Sequence, residues 1–179
     1  MRCASVLALV GLMFAASGRS AGPDTGSATR AVWKEQHLSF FYMGRTSRYS
    51  CDGLRDKVRA MLLDLGARRD LSITALGCEG AAAQVRRGSM GPSLTIVFSS
   101  LHAGDLGSVS ARFESFSITS DAFHNMEIAD CELVEEFAHQ VLPKLETRNL
   151  KQDITCVPFQ QSGGRFLIRG EVLRPLPVR

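Results

Sequence analysis

Four cysteines in two matched segments constrain the fold of this chain more than any other feature. Cys51 and Cys131 each begin a run of apolar residues at helical spacing, and the two runs match at an offset of 80 positions. A strand-like segment follows each run and ends at Cys78 in the first and at Cys156 in the second. The order strand, helix, strand, strand is therefore predicted twice, as an internal duplication would leave it. The matched positions are Cys51, Leu54, Val58, Met61, Leu62 and Leu65 with Cys131, Val134, Ala138, Val141, Leu142 and Leu145.

The expected geometry of each unit predicts how the cysteines pair. In a right-handed strand-helix-strand unit the two strands run parallel, so the helix begins near the point where the second strand ends. This places Cys51 beside Cys78 and Cys131 beside Cys156. We therefore expect an α+β protein of two tandem β-α-β-β units, each held by one disulfide, with the helices packed on a mixed sheet. A ferredoxin-like arrangement with extra strands is the nearest alternative.

The start of the chain predicts export. Residues 1–17 combine a basic start, an apolar run and a small-residue end, which is typical of a cleaved signal peptide, with cleavage as late as residue 21 as the alternative. The apolar run is shorter than the roughly 20 residues that a membrane span needs, and we expect no such span in the mature chain. Cleavage removes Cys3 and leaves four cysteines, which pair in an oxidising compartment. We expect the periplasm, or the extracellular space.

The remaining chain divides into a leader and the two units. Residues 18–31 are rich in small and polar residues and indicate a flexible leader, followed by the units at 32–100 and 101–179. The first unit is basic and the second is acidic: residues 37–100 hold nine Lys or Arg and five Asp or Glu, whereas residues 101–160 hold four and ten. Such an asymmetry can guide docking or self-association. The whole-chain charge of +3 is too small to indicate nucleic-acid binding.

The sequence assigns no catalytic residue, metal site or cofactor. No zinc-protease, P-loop, EF-hand or nucleophile-elbow motif is present. Glu136 and His139 have the spacing of half a carboxylate metal site, but no second such pair exists, so a solvated helix face is the interpretation. A reactive thiol at Cys51, close to Arg48 in sequence, is the less favoured hypothesis because four paired cysteines leave none free.

One loop has the composition of an anion site. The segment Gly44–Ser50 (GRTSRYS) joins a predicted strand to the start of a predicted helix, where backbone amides favour anions. Arg45, Arg48 and Ser50 are the candidate ligands of a phosphate, sulfate or carboxylate group. The alternative is an exposed loop whose Ser50 caps the following helix.

The segment FFYMGRTSRYSCDGL, the stretch MLLDLGAR and a strand ending at Gly77 and Cys78 together resemble small uncharacterised secreted proteins of Gram-negative bacteria. The resemblance covers mainly residues 33–80. It implies an exported, periplasmic protein and supplies no catalytic residues.

Two functions follow as hypotheses. The first is a non-catalytic binding or assembly module of the bacterial envelope, with an envelope protein or a second copy as partner. The alternative is an enzyme or binding protein that uses the Gly44–Ser50 loop to hold an anionic small molecule or envelope polymer.

Overall fold

The structure of the chain is a computed structural model that describes residues 27–77, 92–120, 126–160 and 164–177. The predicted signal peptide and Cys78 lie outside these residues. Six strands and two helices, with two short 3-10 turns, occupy the described ranges. In chain order the elements are β1 (Thr29–Phe41), α1 (Cys51–Asp64), β2 (Ser72–Leu76), β3 (Ser93–Ala103), β4 (Val109–Thr119), a turn at Ile128–Asp130, α2 (Cys131–Gln140), a turn at Leu142–Lys144, β5 (Thr147–Thr155) and β6 (Arg165–Pro175).

The six strands form one sheet in the order β2-β3-β1-β4-β6-β5, and neighbouring strands are antiparallel. β3 pairs with β1 along its whole length, from Ser93 opposite Phe41 to Ala103 opposite Ala31. β1 and β4 pair at only three positions near their first residues, and this short ladder joins the two halves of the sheet. β2 and β5 are therefore the edge strands.

The prediction of two tandem β-α-β-β units on a mixed sheet is wrong. A single antiparallel sheet runs through both halves of the chain, and the described residues contain two short helices of 14 and 10 residues. β3 separates β1 from β2 because its alternate residues Leu94, Ile96 and Phe98 are buried, which suits a central strand, whereas the five-residue β2 suits an edge. The ferredoxin-like alternative is also wrong, because β4 follows β3 without an intervening helix.

The first helix follows the sequence pattern closely. Leu54, Val58, Met61 and Leu62 are buried along one side of α1, as their spacing predicts. The Ser50 hydroxyl accepts a hydrogen bond from the Gly53 amide at 3.1 Å, which confirms the predicted cap. After the helix, Gly66 has a φ of 82°, a left-handed conformation that glycine adopts without strain.

The second helix is shorter than its apolar pattern predicts. α2 ends at Gln140, and the chain continues as a 3-10 turn that contains Pro143, which cannot donate an amide hydrogen bond. Asp130 precedes the helix but does not cap it, because its carboxylate accepts from the Glu127 amide at 2.8 Å. Neither of the described helices combines the length and the apolar composition that a membrane span requires.

The predicted pair Cys131–Cys156 is a disulfide, with the two Cα atoms 5.6 Å apart. It ties the first residue of α2 to the residue that follows β5. Cys51 is also disulfide-bonded, at the first residue of α1.

The two faces of the sheet differ. On one face, buried side chains of both helices and of the strands form the main core. On the other face, a small cluster centred on Leu101 and Leu173 contains no residue of either helix. We call this second face the open face. Its exposed strand positions include Ser39, Ser72, Thr74, Thr95, Ser115, Ser117, Lys151 and Arg169, which alternation and register place on the same side.

β1 is longer than its sequence pattern predicts. It begins at Thr29, inside the expected leader, whereas the β-rich pattern starts at His37. The first part of β1 was not predicted because the polar run Lys34-Glu35-Gln36 interrupts the apolar pattern that is typical of a strand. Its residues pair with Ser100, Ser99 and Phe98 of β3, so backbone pairing sustains the strand there.

Candidate functional site

The Gly44–Ser50 loop binds a carboxylate of the protein itself, that of Glu132. The Arg45 and Thr46 amides donate to Oε2 of Glu132 at 2.6 and 2.8 Å, and the Thr46 hydroxyl donates to Oε1 at 3.0 Å. Glu132 lies in the first turn of α2 and is 9% exposed. Glycine is required at position 44, because a Cβ atom there would lie 2.0 Å from the Tyr42 hydroxyl oxygen.

Among the residues that the structure describes, the three predicted anion ligands have no shared partner. The side chains of Arg45 and Arg48 are exposed, and the Ser50 hydroxyl is engaged in capping α1. The amides of Arg45 and Thr46 contact the carboxylate of Glu132, and the arginine side chains take no part in these contacts. Glu132 was not among the predicted residues, since nothing local in the sequence connects it with a loop more than 80 positions away.

A second buried carboxylate lies beside the first. Asp130 is 3% exposed and accepts from the Tyr49 hydroxyl at 2.5 Å and from Lys57 Nζ at 2.7 Å. Its third contact, the Glu127 amide, completes the set of donors around it. Lys57 lies on α1 and Tyr49 in the loop, so Asp130 holds the loop, α1 and the start of α2 together.

The two tyrosines of the chain, Tyr42 and Tyr49, both belong to this region. Their rings pack edge to face with centroids 5.1 Å apart, and the Tyr42 hydroxyl donates to the Ser47 carbonyl oxygen at 2.9 Å. Burial raises the pKa of both phenols well above their ordinary range. The charge of Glu132 adds to the rise for Tyr42, and the hydrogen bond to Asp130 adds to the rise for Tyr49.

A Ser-His-Glu arrangement was not predicted from the sequence: Ser100 and His102 lie on β3, and Glu146 lies just before β5. The Ser100 hydroxyl lies 3.0 Å from Nε2 of His102, and Nδ1 of His102 lies 3.5 Å from the Glu146 carboxylate. The order matches a nucleophile, a base and an orienting acid. However, Ser100 is only 1% exposed and its hydroxyl also donates to the Lys144 carbonyl oxygen at 3.2 Å. A substrate cannot reach the Ser100 hydroxyl oxygen. We therefore assign a structural role to Ser100, His102 and Glu146. Burial, followed by the charge of Lys34, lowers the pKa of His102.

An acidic cleft of about 150 Å³ lies between the loop and α2. Glu132, Glu135 and Glu136 line it together with Met43 and Pro158. Glu136 accepts a hydrogen bond from the Gln140 side chain at 2.6 Å. Within the described ranges, no group of three His, Cys, Asp or Glu side chains is arranged to hold a metal ion.

A larger groove of about 320 Å³ lies on the open face, across β4, β6 and β5. Ser115 and Ser117 of β4 line it, together with Lys151 of β5 and Arg169 of β6. The groove coincides with an irregularity in the β5–β6 ladder between residues 148 and 151. This site was not predicted from the sequence, because its residues come together only through the register of three strands.

Comparisons of the chain with protein-family models, with curated proteins and with solved structures find no match. The resemblance of residues 33–80 to secreted proteins of Gram-negative bacteria therefore stays a prediction.

Proposed function

We propose that the chain is an exported, non-catalytic binding module of the bacterial envelope that recognises its partner through the open face. The observation that carries this proposal is the asymmetry of the sheet. Both helices contribute to the core on one face, and neither contributes to the cluster on the other. The open face thus offers a broad, rigid surface with exposed hydroxyl and charged side chains, held by backbone pairing across six strands.

The polar clusters of the interior favour binding over catalysis. The amides of Arg45 and Thr46 are taken by Glu132, Asp130 is surrounded by three donors, and Ser100 is buried. A catalytic group needs a reachable reacting atom and a partner that is free to exchange protons. These clusters instead hold secondary-structure elements together. An external anion at the Gly44–Ser50 loop would lack the amides of Arg45 and Thr46 as donors, because Glu132 occupies them.

The proposal includes the cellular compartment of the protein. The signal-like start of the sequence and the Cys131–Cys156 disulfide both suit an oxidising compartment outside the cytosol. The periplasm is the proposed location, with the extracellular space as the alternative. The proposed partner is a component of the envelope, and a second copy of the chain is the alternative that size measurement in solution detects.

Blocking the open face tests the proposal. The variants Thr95→Trp and Ser117→Trp place a bulky side chain on exposed strand positions, where aromatic residues are well tolerated. The matched control, His139→Trp, places the same side chain on an exposed position of α2. Immobilised wild-type protein should capture a component from envelope extract, and mass spectrometry should show at least a roughly tenfold loss in the open-face variants only. Capture that resists the open-face variants, or fails for the wild type, contradicts the proposal.

A further inference from the structure

Two basic side chains face each other on the open face. Lys151 of β5 stands directly opposite Arg169 of β6, and like charges in directly opposed positions destabilise a sheet. Both residues are exposed. In the part of the chain that the structure describes, neither makes an ion pair with a carboxylate.

The nearest carboxylates along the same two strands are already engaged. On one side of the basic pair, Arg148 is paired with Glu171. On the other side, Arg165 is paired with Asp153 at 3.1 Å. Within the described ranges, the sheet therefore carries two ion pairs and, between them, a double positive charge that no carboxylate neutralises. Such a charge attracts an external anion.

Hydroxyl groups complete the donor set beside this charge. Ser117 of β4 stands opposite Arg169, and Ser115 stands opposite Glu171 in the next row of the same face. Both serines are exposed and line the groove of about 320 Å³ with the two cations. A guanidinium, an ammonium and two hydroxyls are the donors that proteins use for sulfate, phosphate and carboxylate groups.

The backbone is specialised at the same place. The β5–β6 ladder changes register between Arg148 and Lys151, and Asn149 within it has a φ of 54°. Gly170 allows β5 to approach closely, because a Cβ atom there would lie 3.1 Å from the Arg148 carbonyl oxygen and 3.2 Å from the Leu150 Cα. Such bulges re-aim side chains beside functional sites, and this one brings Asn149 to the groove.

We propose that this groove binds an oxyanion group, of the sulfate, phosphate or carboxylate type, carried by the component that the open face recognises. The proposal rests on the proposed function and names the chemistry of its ligand. Lys151 and Arg169 supply the charge, and Ser115 and Ser117 supply further hydrogen bonds.

Two double variants with the same change of net charge provide the test. Lys151→Gln with Arg169→Gln removes the charge of the groove, whereas Arg45→Gln with Arg48→Gln removes two exposed arginines of the Gly44–Ser50 loop. Calorimetric titrations at a fixed ionic strength use sodium sulfate, dextran sulfate and uncharged dextran as probes. We expect dextran sulfate to bind the wild type and the loop variant equally, and the groove variant about 100-fold more weakly. Dextran should not bind.

The groove variant should unfold at no lower temperature than the wild type, since it removes a repulsion, and this separates lost binding from lost folding. Sodium sulfate that binds as tightly as the polymer, per sulfate group, indicates a free anion as the ligand, and much weaker binding indicates a polymer-borne group. An equal loss in both double variants, or no binding of either sulfate probe to the wild type, overturns the inference. If Ser117→Trp still abolishes capture from envelope extract in that case, the proposed function stands and only the ligand chemistry is wrong.

Discussion

Replacing Glu132 by alanine is expected to lower the free energy of unfolding by about 3 kcal/mol, because three donors lose their acceptor at a buried position. The donors are the amides of Arg45 and Thr46 and the hydroxyl of Thr46. Water cannot easily replace the carboxylate, since Glu132 is 9% exposed. The change also removes a negative charge from the first turn of α2, where it is favourable.

Denaturant unfolding followed by the fluorescence of the single tryptophan, Trp33, measures this effect. The matched control is Glu135→Ala, on the same helix. Glu135 has no hydrogen bond or ion pair within the described residues, and its loss should change the free energy of unfolding by at most about 0.5 kcal/mol. Equal effects of the two changes, or less than about 1 kcal/mol for Glu132→Ala, contradict the role given to the loop.

Alkaline pH is expected to unfold the protein through its two tyrosines. Their raised pKa values mean that the unfolded chain releases these protons first, at about pH 10. The stability that the neutral phenols contribute is therefore complete below about pH 10 and falls as the pH rises above it. The loss is at most about 1.4 kcal/mol per pH unit for each tyrosine, so both together can exhaust a typical folding free energy within a few units.

The measurement is the near-ultraviolet absorbance of phenolate, recorded together with circular dichroism as the pH rises. Since the chain has only Tyr42 and Tyr49, the signal reports on this cluster alone. We expect no phenolate until the dichroism signals unfolding, and then both tyrosines ionising together. The variant Tyr49→Phe should reduce the pH dependence above about pH 10 by about half. Phenolate that appears near pH 10 in a protein that remains folded contradicts the account.

Local features of the sequence predicted the helices well. The apolar spacing in α1 and the Ser50 cap both depend on interactions within a few residues, and the structure confirms them. The end of α2 was missed because the apolar pattern continues past Gln140 while Pro143 alters the hydrogen bonding. Val141, Leu142 and Leu145 are buried as the apolar pattern predicts, but they lie beyond the end of α2.

The order of the strands was not predictable in the same way. The geometry of a strand-helix-strand unit leaves open which strand lies between the other two, and β3 takes that position through its pairing with both β1 and β2. Pairing between segments that are far apart in sequence depends on the register of whole strands. The prediction of a mixed sheet was wrong for that reason.

The two candidate sites show the same limit. The affinity of the Gly44–Ser50 turn for an anion follows from local backbone chemistry, but the carboxylate that satisfies it comes from α2. In the groove, Lys151 and Arg169 are 18 positions apart in the sequence. They lie opposite each other because of the irregular register of the β5–β6 ladder. No local pattern predicts such a pair, and the fold has to be known first.

Titration of the ¹⁵N-labelled protein with sodium sulfate, followed amide by amide in NMR spectra, is the most direct test. It shows whether Glu132 occupies the amides of the Gly44–Ser50 loop while the groove on the open face binds an anion. We predict saturable shifts for the amides of Asn149, Lys151 and Gly170, which line the groove. The amides of Arg45 and Thr46 should remain unchanged, because Glu132 holds them. Saturable shifts at Arg45 and Thr46, with none at the groove, would contradict this account.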